Sequence, residues 1–305
     1  MRVIKPLAFV GCLLQGCVLG PEPTVNAPSF DQRCSLPSVV KCVGFDAASE
    51  ITGTYGDNSG ILPGATTPVL DTSFKASGAS SLKFTIPSLS GSNTSGSYFT
   101  NFSDNLSVRF GENQEFYIQW RQRFSPEFLN TFYLGGGGWK QAIIGTGDKR
   151  GCNSRNTASG LCYASCTNLE IVVQNTDQRG YPQMYHSCGA KDGHYEGIGP
   201  VFPIGYRPDE WMTFQVYVKV GTWYKNDRNY RRDSTIELWV AREGYQSELA
   251  ISRNNYDLAS DDPTAGYGKI WLLPYHSRKS HEQSHPVAYT WYDDLIISTS
   301  RIPDP

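Results

Sequence analysis

Gln119, Arg121 and Arg123 recur at every second position of Glu115–Phe124, so a strand over that segment carries all three on one face. Guanidinium forks match carboxylates bidentately, and that face therefore suits an acidic ligand, with solvated surface ion pairs as the alternative. A second concentration of reactive groups runs from Tyr275 to His285 and holds Tyr275, His276, Arg278, Lys279, His281 and His285. A phenol and imidazoles transfer protons, and the cations hold anions. His276, His281 and His285 share no common face, so a metal site is not expected of them. His186 adds another imidazole, on a segment that reads as a strand. Asp293 and Asp294 are adjacent, which on a regular strand turns them to opposite faces and disqualifies them as a pair acting on one bond. Each is expected to serve as a hydrogen-bonding group or as a ligand of a structural calcium ion, and no other cofactor is expected. Gly135–Gly138 lacks the Gly-Lys-Ser/Thr ending of a phosphate loop and is expected to be a turn.

Such groups need a rigid frame, and the chain offers short runs of Val, Ile, Tyr, Phe, Trp and Thr between Gly, Pro, Ser and Asn clusters. The runs predict strands near Val43–Asp46, Ser81–Ile86, Ser97–Phe102, Glu115–Phe124, Lys140–Gly145 and Leu169–Asn175. Further strands are predicted near Pro182–Cys188, Trp211–Val220, Thr235–Ala241, Gly268–Pro274 and Ala288–Ser298. About eleven strands with no internal repeat favour an all-β, two-sheet antiparallel sandwich over a propeller. In Glu115–Phe124 the second face reads Phe116, Ile118, Trp120, Gln122, Phe124. In Trp211–Val220 an apolar face of Phe214, Val216, Val218 and Val220 opposes Thr213, Gln215, Tyr217 and Lys219. Each strand thus buries one face, and the other is either solvated or lines a ligand groove.

Composition narrows the ligand. Aromatic residues make up 13% of the 305 residues, with seven Trp and eighteen Tyr, which suits β-structure and sugar stacking alike. Trp139, Trp223 and Trp271 are candidate stacking platforms, and Lys140 stands beside the first of them. The net charge is −2 from 27 basic and 29 acidic side chains. No global basic field recruits nucleic acid, so an acidic polymer needs a local patch. A monomer is expected.

The first residues read as an address. Arg2 and Lys5 precede an apolar stretch from Pro6 to Leu14 that is too short to cross a bilayer, followed by Leu14-Gln15-Gly16-Cys17 in the order of a lipoprotein cleavage box. Cleavage would leave Cys17 acylated, with residues 1–16 as signal, 17–33 as a Pro-rich and polar tether and 34–305 as one domain. The expected location is the cell envelope, and Val18 in place of a retention-type Asp leans toward an outer membrane. Without Cys12 and Cys17 six cysteines remain, an even number that suggests disulfides in an exported chain. Cys34 with Cys42 is the favoured local bridge. Cys152, Cys162, Cys166 and Cys188 would staple one loop-rich region, and zinc is the less favoured use of them.

The strand with its arginine pair, the glycine-rich turn into Trp139-Lys140-Gln141-Ala142-Ile143, the strands Trp211–Val220 and Thr235–Val240, and the closing Trp291–Ser298 together resemble concanavalin A-like jelly rolls. Within that group the chain resembles polysaccharide lyases of the alginate, glucuronan and heparin lyase type, over about Val43 to Ile302. The resemblance implies β-elimination of a uronate polymer in a groove on a concave sheet. It implies that Gln119, Arg121 and Arg123 stand for the arginine strand, Gln141 for the Gln of a Gln-x-His strand, and Tyr275 for the catalytic tyrosine. Two positions depart from the pattern: Ile143 occupies the His slot and Trp271 the Lys slot four residues before Tyr275. His186 or His276 is then the expected substitute base. Trp139, Lys140, Trp271, Arg278 and Lys279 are the expected substrate contacts, beside Gln119 and Arg123. Two function classes follow: a lyase acting on an acidic polysaccharide, and a carbohydrate-binding surface lipoprotein without catalysis.

Overall fold

The computed structural model describes residues 26–53, 58–135, 138–146, 170–175, 180–186, 195–196, 205–223, 233–256, 258 and 264–305. Cys17, Cys152, Cys162, Cys166 and Cys188 lie outside the described residues. In chain order the strands are β1 (Val39–Val43), β2 (Ser59–Leu62), β3 (Val69–Asp71), β4 (Ser81–Ile86), β5 (Ser97–Asn101), β6 (Glu115–Phe124), β7 (Trp139–Thr146) and β8 (Glu170–Asn175). They continue as β9 (Pro182–His186), β10 (Tyr195–Glu196), β11 (Trp211–Lys219), β12 (Ser234–Ala241), β13 (Glu248–Tyr256), β14 (Tyr267–Leu272) and β15 (Ala288–Ser298). Among the described residues two short α-helices, α1 (Phe30–Cys34) and α2 (Pro126–Asn130), and one turn of 3-10 helix (Ala48–Glu50) join them.

The strands form two antiparallel sheets, and the chain is an all-β jelly-roll sandwich. The eight-stranded sheet runs β13-β12-β11-β6-β15-β4-β3, and β1 pairs with the C-terminal half of β15 while β4 pairs with its N-terminal half. The seven-stranded sheet runs β10-β9-β8-β7-β14-β5-β2. Alternation explains the core. Phe116, Ile118, Trp120 and Phe124 of β6 face inward against Ala142 and Ile144 of β7, Ile171 and Val173 of β8 and Met184 of β9. Trp139 joins them, its ring centroid 5.3 Å from that of Phe124.

Polar residues also enter this core, and they hydrogen-bond to one another there. Gln141 Nε2 donates to Gln122 Oε1 at 2.9 Å, Gln122 Nε2 to Thr290 Oγ1 at 3.0 Å, and Asn175 Nδ2 and Tyr206 OH to Gln141 Oε1 at 2.7 and 3.0 Å. The network ties the two sheets together, and a buried amide with its bonds made costs little. Gln141 reaches the interior because β7 carries a register shift between Lys140 and Ala142, which turns Gln141 and Ala142 to the same side.

The outer face of the eight-stranded sheet is closed by both ends of the described chain. Ser29 caps α1 by accepting from Gln32 N, and the helix lays Arg33 onto the sheet. Arg33 Nη1 donates to Gln119 Oε1 at 2.5 Å and Nη2 to Asp294 Oδ2 at 2.6 Å. From the other end, Gln215 exchanges two bonds with Ile302, and Gln119 Nε2 donates to Pro303 O at 3.2 Å. The disulfide Cys34–Cys42 fastens α1 to β1, as expected from the sequence. The packed domain therefore begins before the expected boundary at residue 34: Phe30 to Arg33 are helix, and Arg33 is 1% exposed.

Asp293 and Asp294 correct a second expectation. A register shift in β15 after Asp293, with Asp294 at φ +50°, brings both carboxylates to this outer face. Ala76 N donates to Asp293 Oδ2 at 2.7 Å, and Ser77 Oγ donates to Asp294 Oδ1 at 2.5 Å. They serve as hydrogen-bonding groups, and among the described residues no cluster of His, Cys, Asp and Glu is arranged for a metal. Burial, then the neighbouring Asp294 charge, pushes the Asp293 carboxyl up to about 8 from an ordinary 3.8. The folded state thus holds a proton that the unfolded state has lost, so this contribution to stability is lost as pH rises from about 4 through about 8. Urea unfolding of the wild type is expected to show a stability lower by at least about 1.4 kcal/mol at pH 8.5 than at pH 5, one pKa unit's worth. Asp293→Asn is expected to remove that slope, and an unchanged slope would contradict the assignment.

Candidate functional site

The face of the seven-stranded sheet turned away from the core carries two parallel rows. The first is apolar and follows the register from β9 to β5: Tyr185 opposite Val172, Val172 opposite Ile143, Ile143 opposite Trp271, Trp271 opposite Phe99. With Leu62 and Leu273 these side chains form a buried cluster separate from the core, and Tyr275 packs on it half-buried. The second row lies two residues further along β8 and β9, about 7 Å away, three residues along β7 across its bulge, and in the segment that follows β14. It reads Gln183 opposite Gln174, Gln174 opposite Lys140, and then Tyr275, whose carbonyl accepts from Lys140 N at 2.8 Å.

This polar row has ligand-binding chemistry available. All four side chains are half-buried. Lys140 Nζ lies 5.2 Å from the Tyr275 ring centroid, a cation–π contact. The ammonium has no hydrogen bond or ion pair among the described residues. Burial lowers its pKa, against the raising influence of the Glu170 charge, which is the expected behaviour of a lysine short of a partner. An anion placed beside it would restore its ordinary value. Among the described residues the Tyr275 hydroxyl has no partner either, and Gln174 Nε2 donates to Gln183 Oε1 at 2.6 Å.

The remaining sequence-derived candidates do not gather here. Gln119, Arg121 and Arg123 lie on the outer face of the other sheet, with the core between them and Tyr275. Gln119 is bound by Arg33 and the C-terminal segment, Arg121 Nη2 sits 3.4 Å from Glu243 Oε1, and Arg123 Nη2 donates to Asp209 Oδ1 at 2.9 Å. Gln141 is consumed by the core network, and Trp139 and Trp223 belong to the core. His186 faces inward like Met184, against the Tyr256 ring at 4.8 Å. His276 is walled in by Phe128, Tyr133 and Trp139, with its Nδ1 3.0 Å from Pro274 O. Lys279 Nζ is spent on Ser90 O and Oγ, whereas Arg278 is exposed. The single groove expected from the sequence is therefore not formed by these residues. Of the candidates, Lys140, Trp271 and Tyr275 share the seven-stranded outer face. Gln174 and Gln183 complete it, and their alternation with Val172 and Tyr185 was the sequence signal for them.

The two sheets, one with its outer face covered and the other with a polar row on its outer face, define an antiparallel jelly-roll sandwich. Known structures agree on the fold. The chain is similar to a PL-14 alginate lyase from Aplysia kurodai at 12% identity and TM-score 0.53, over 76% of this chain and 87% of that one. It is also similar to alginate lyase Aly36B at 14% and 0.51, over 88% and 99% of the two chains, and to alginate lyase vAL-1 from Chlorella virus at 12% and 0.51, over 85% and 99%. At such identities the likeness is one of fold. No family model matches the sequence, and no curated protein matches it.

Proposed function

We propose that this chain is a polysaccharide lyase-like protein of the cell envelope that holds a uronate-bearing polymer on the outer face of its seven-stranded sheet. The observation that carries the reading is the Lys140 ammonium, half-buried and unpaired among the described residues, set against the Tyr275 ring on the outer face of the seven-stranded sheet. Lys140 receives the uronate carboxylate and stabilises the charge that moves onto it when the C5–H bond breaks. The Tyr275 oxygen takes the C5 proton. The released electron pair forms the C4–C5 double bond, the C4–O bond breaks, and Tyr275 returns the proton to the leaving oxygen. Trp271, in the adjoining buried row, belongs to the cluster on which the Tyr275 ring packs. The Leu14-Gln15-Gly16-Cys17 box supports lipid anchoring, which would place this face among envelope polymers.

A second reading has its own observation. Ile143 and Trp271, at the slots where related lyases are expected to carry His and Lys, lie side by side in the apolar row, which suits a binding surface without catalysis. Incubation of the protein with alginate, polyglucuronate, pectate and glycosaminoglycans, followed by unsaturated-uronate absorbance, separates the two. A rise with at least one polymer is expected. Binding with no absorbance on any polymer would leave the second reading standing and remove the first.

A further inference from the structure

The two glutamines beside Lys140 say more about the polymer than its charge. Gln174 and Gln183 face each other across β8 and β9 and spend one donor and one acceptor on their mutual bond. Each amide has further capacity, and no other partner among the described residues takes it up: an N–H on Gln183 and a carbonyl lone pair on Gln174 remain available on a half-buried surface. Exchanging the amide oxygen and nitrogen of both residues leaves the same pattern, one donor and one acceptor on neighbouring strands. The pair therefore offers donor and acceptor together whichever way the amides are set. It stands one and two strands from Lys140, about 5 and 10 Å away, which is the reach of the sugar next to the one whose carboxylate the lysine holds.

We infer that this site accepts a polymer in which the uronate alternates with an N-acetylated amino sugar, an inference that rests on the reading of this face as the glycan site. The acetamido group presents an N–H and a carbonyl in fixed relation, so it can satisfy the Gln174 acceptor and the Gln183 donor at once. A homopolyuronate would set a second carboxylate there instead. A carboxylate accepts only, so it can use the Gln183 N–H but leaves the Gln174 carbonyl facing a like partial charge.

The test compares hyaluronan and chondroitin, which alternate uronate with N-acetylhexosamine, with alginate and polyglucuronate. Cleavage is followed by unsaturated-uronate absorbance on the wild-type protein, and binding by affinity electrophoresis on Tyr275→Phe. The alternating polymers are expected to show kcat/KM and affinity about tenfold or more above the homopolyuronates, the worth of one well-made hydrogen bond. Gln174→Leu is expected to raise KM for the alternating polymers by about tenfold and so to remove their advantage over the homopolyuronates, and an undiminished advantage would overturn the inference. Equal or better cleavage of the homopolyuronates would overturn the inference and leave the lyase reading in place. Preferential binding of the alternating polymers without cleavage would support the inference and remove the lyase reading. Failure to bind either class would overturn both.

Discussion

Lys140→Met and Tyr275→Phe are each expected to lower the rate of uronate elimination by on the order of 10²- to 10⁴-fold, the usual range for a group that moves the proton or meets the developing charge. Methionine keeps the length and apolar stem of Lys140 while removing the charge, and phenylalanine keeps the ring that packs on the Trp271 cluster. Thermal melting close to wild type should accompany both losses, which separates a chemical role from a structural one. The two variants should also differ in pH response. Burial holds the Lys140 pKa below the ordinary lysine value, so kcat/KM of the wild type should fall as pH rises through that lowered pKa, because a neutral amine no longer receives a carboxylate. Lys140→Met should lose this alkaline limb, and Tyr275→Phe should keep it on its residual activity. Arg121→Ala is the contrasting control. The sequence resemblance implies a loss of activity there. Its place on the opposite outer face, beside Glu243, leads to none. A large loss in Arg121→Ala with unchanged rates in Lys140→Met would relocate the site to the other sheet.

The fold was readable because each long strand states its own phase. Ser81–Ile86, Glu115–Phe124 and Ala288–Ser298 occupy the segments their alternation predicts. The strands that alternation does not announce are the sheet edges: β13 and β3 end one sheet, and β10 and β2 end the other. Edge strands are short or polar on both sides, as Glu-Leu-Ala-Ile-Ser-Arg-Asn-Asn-Tyr in β13 shows, because one flank has no neighbour to pack against. The site was less readable for two physical reasons. A bulge shifts the phase of every residue beyond it, so period two sends Gln141 outward and separates Asp293 from Asp294, where the structure turns Gln141 inward and joins the carboxylates. Sequence also cannot tell which of two polar sheet faces will be covered. Gln119 reads as a groove residue until α1 and the C-terminal segment are seen lying on it.

That covering makes Arg33 the residue whose loss should cost the most stability. Arg33→Ala leaves Asp294 buried without its cation, and Gln119 without one of its partners, at an expected 3–5 kcal/mol in urea unfolding. Replacing the pair together by Arg33→Met and Asp294→Leu should cost much less, since no charge is then stranded, although Ser77 Oγ would lose its acceptor. Reduction or removal of Cys34–Cys42 acts on the same segment from the unfolded side, because closing a loop of about nine residues is worth about 2–3 kcal/mol. The two losses should not add. Once the disulfide is gone, α1 can lift away and let water reach Asp294, so the stranded charge of Arg33→Ala is hydrated and its extra cost shrinks. A triple variant as unstable as the simple sum would mean that α1 stays seated without its disulfide. The helix would then be held by its packing and by the Ser29 cap rather than by the crosslink beside it.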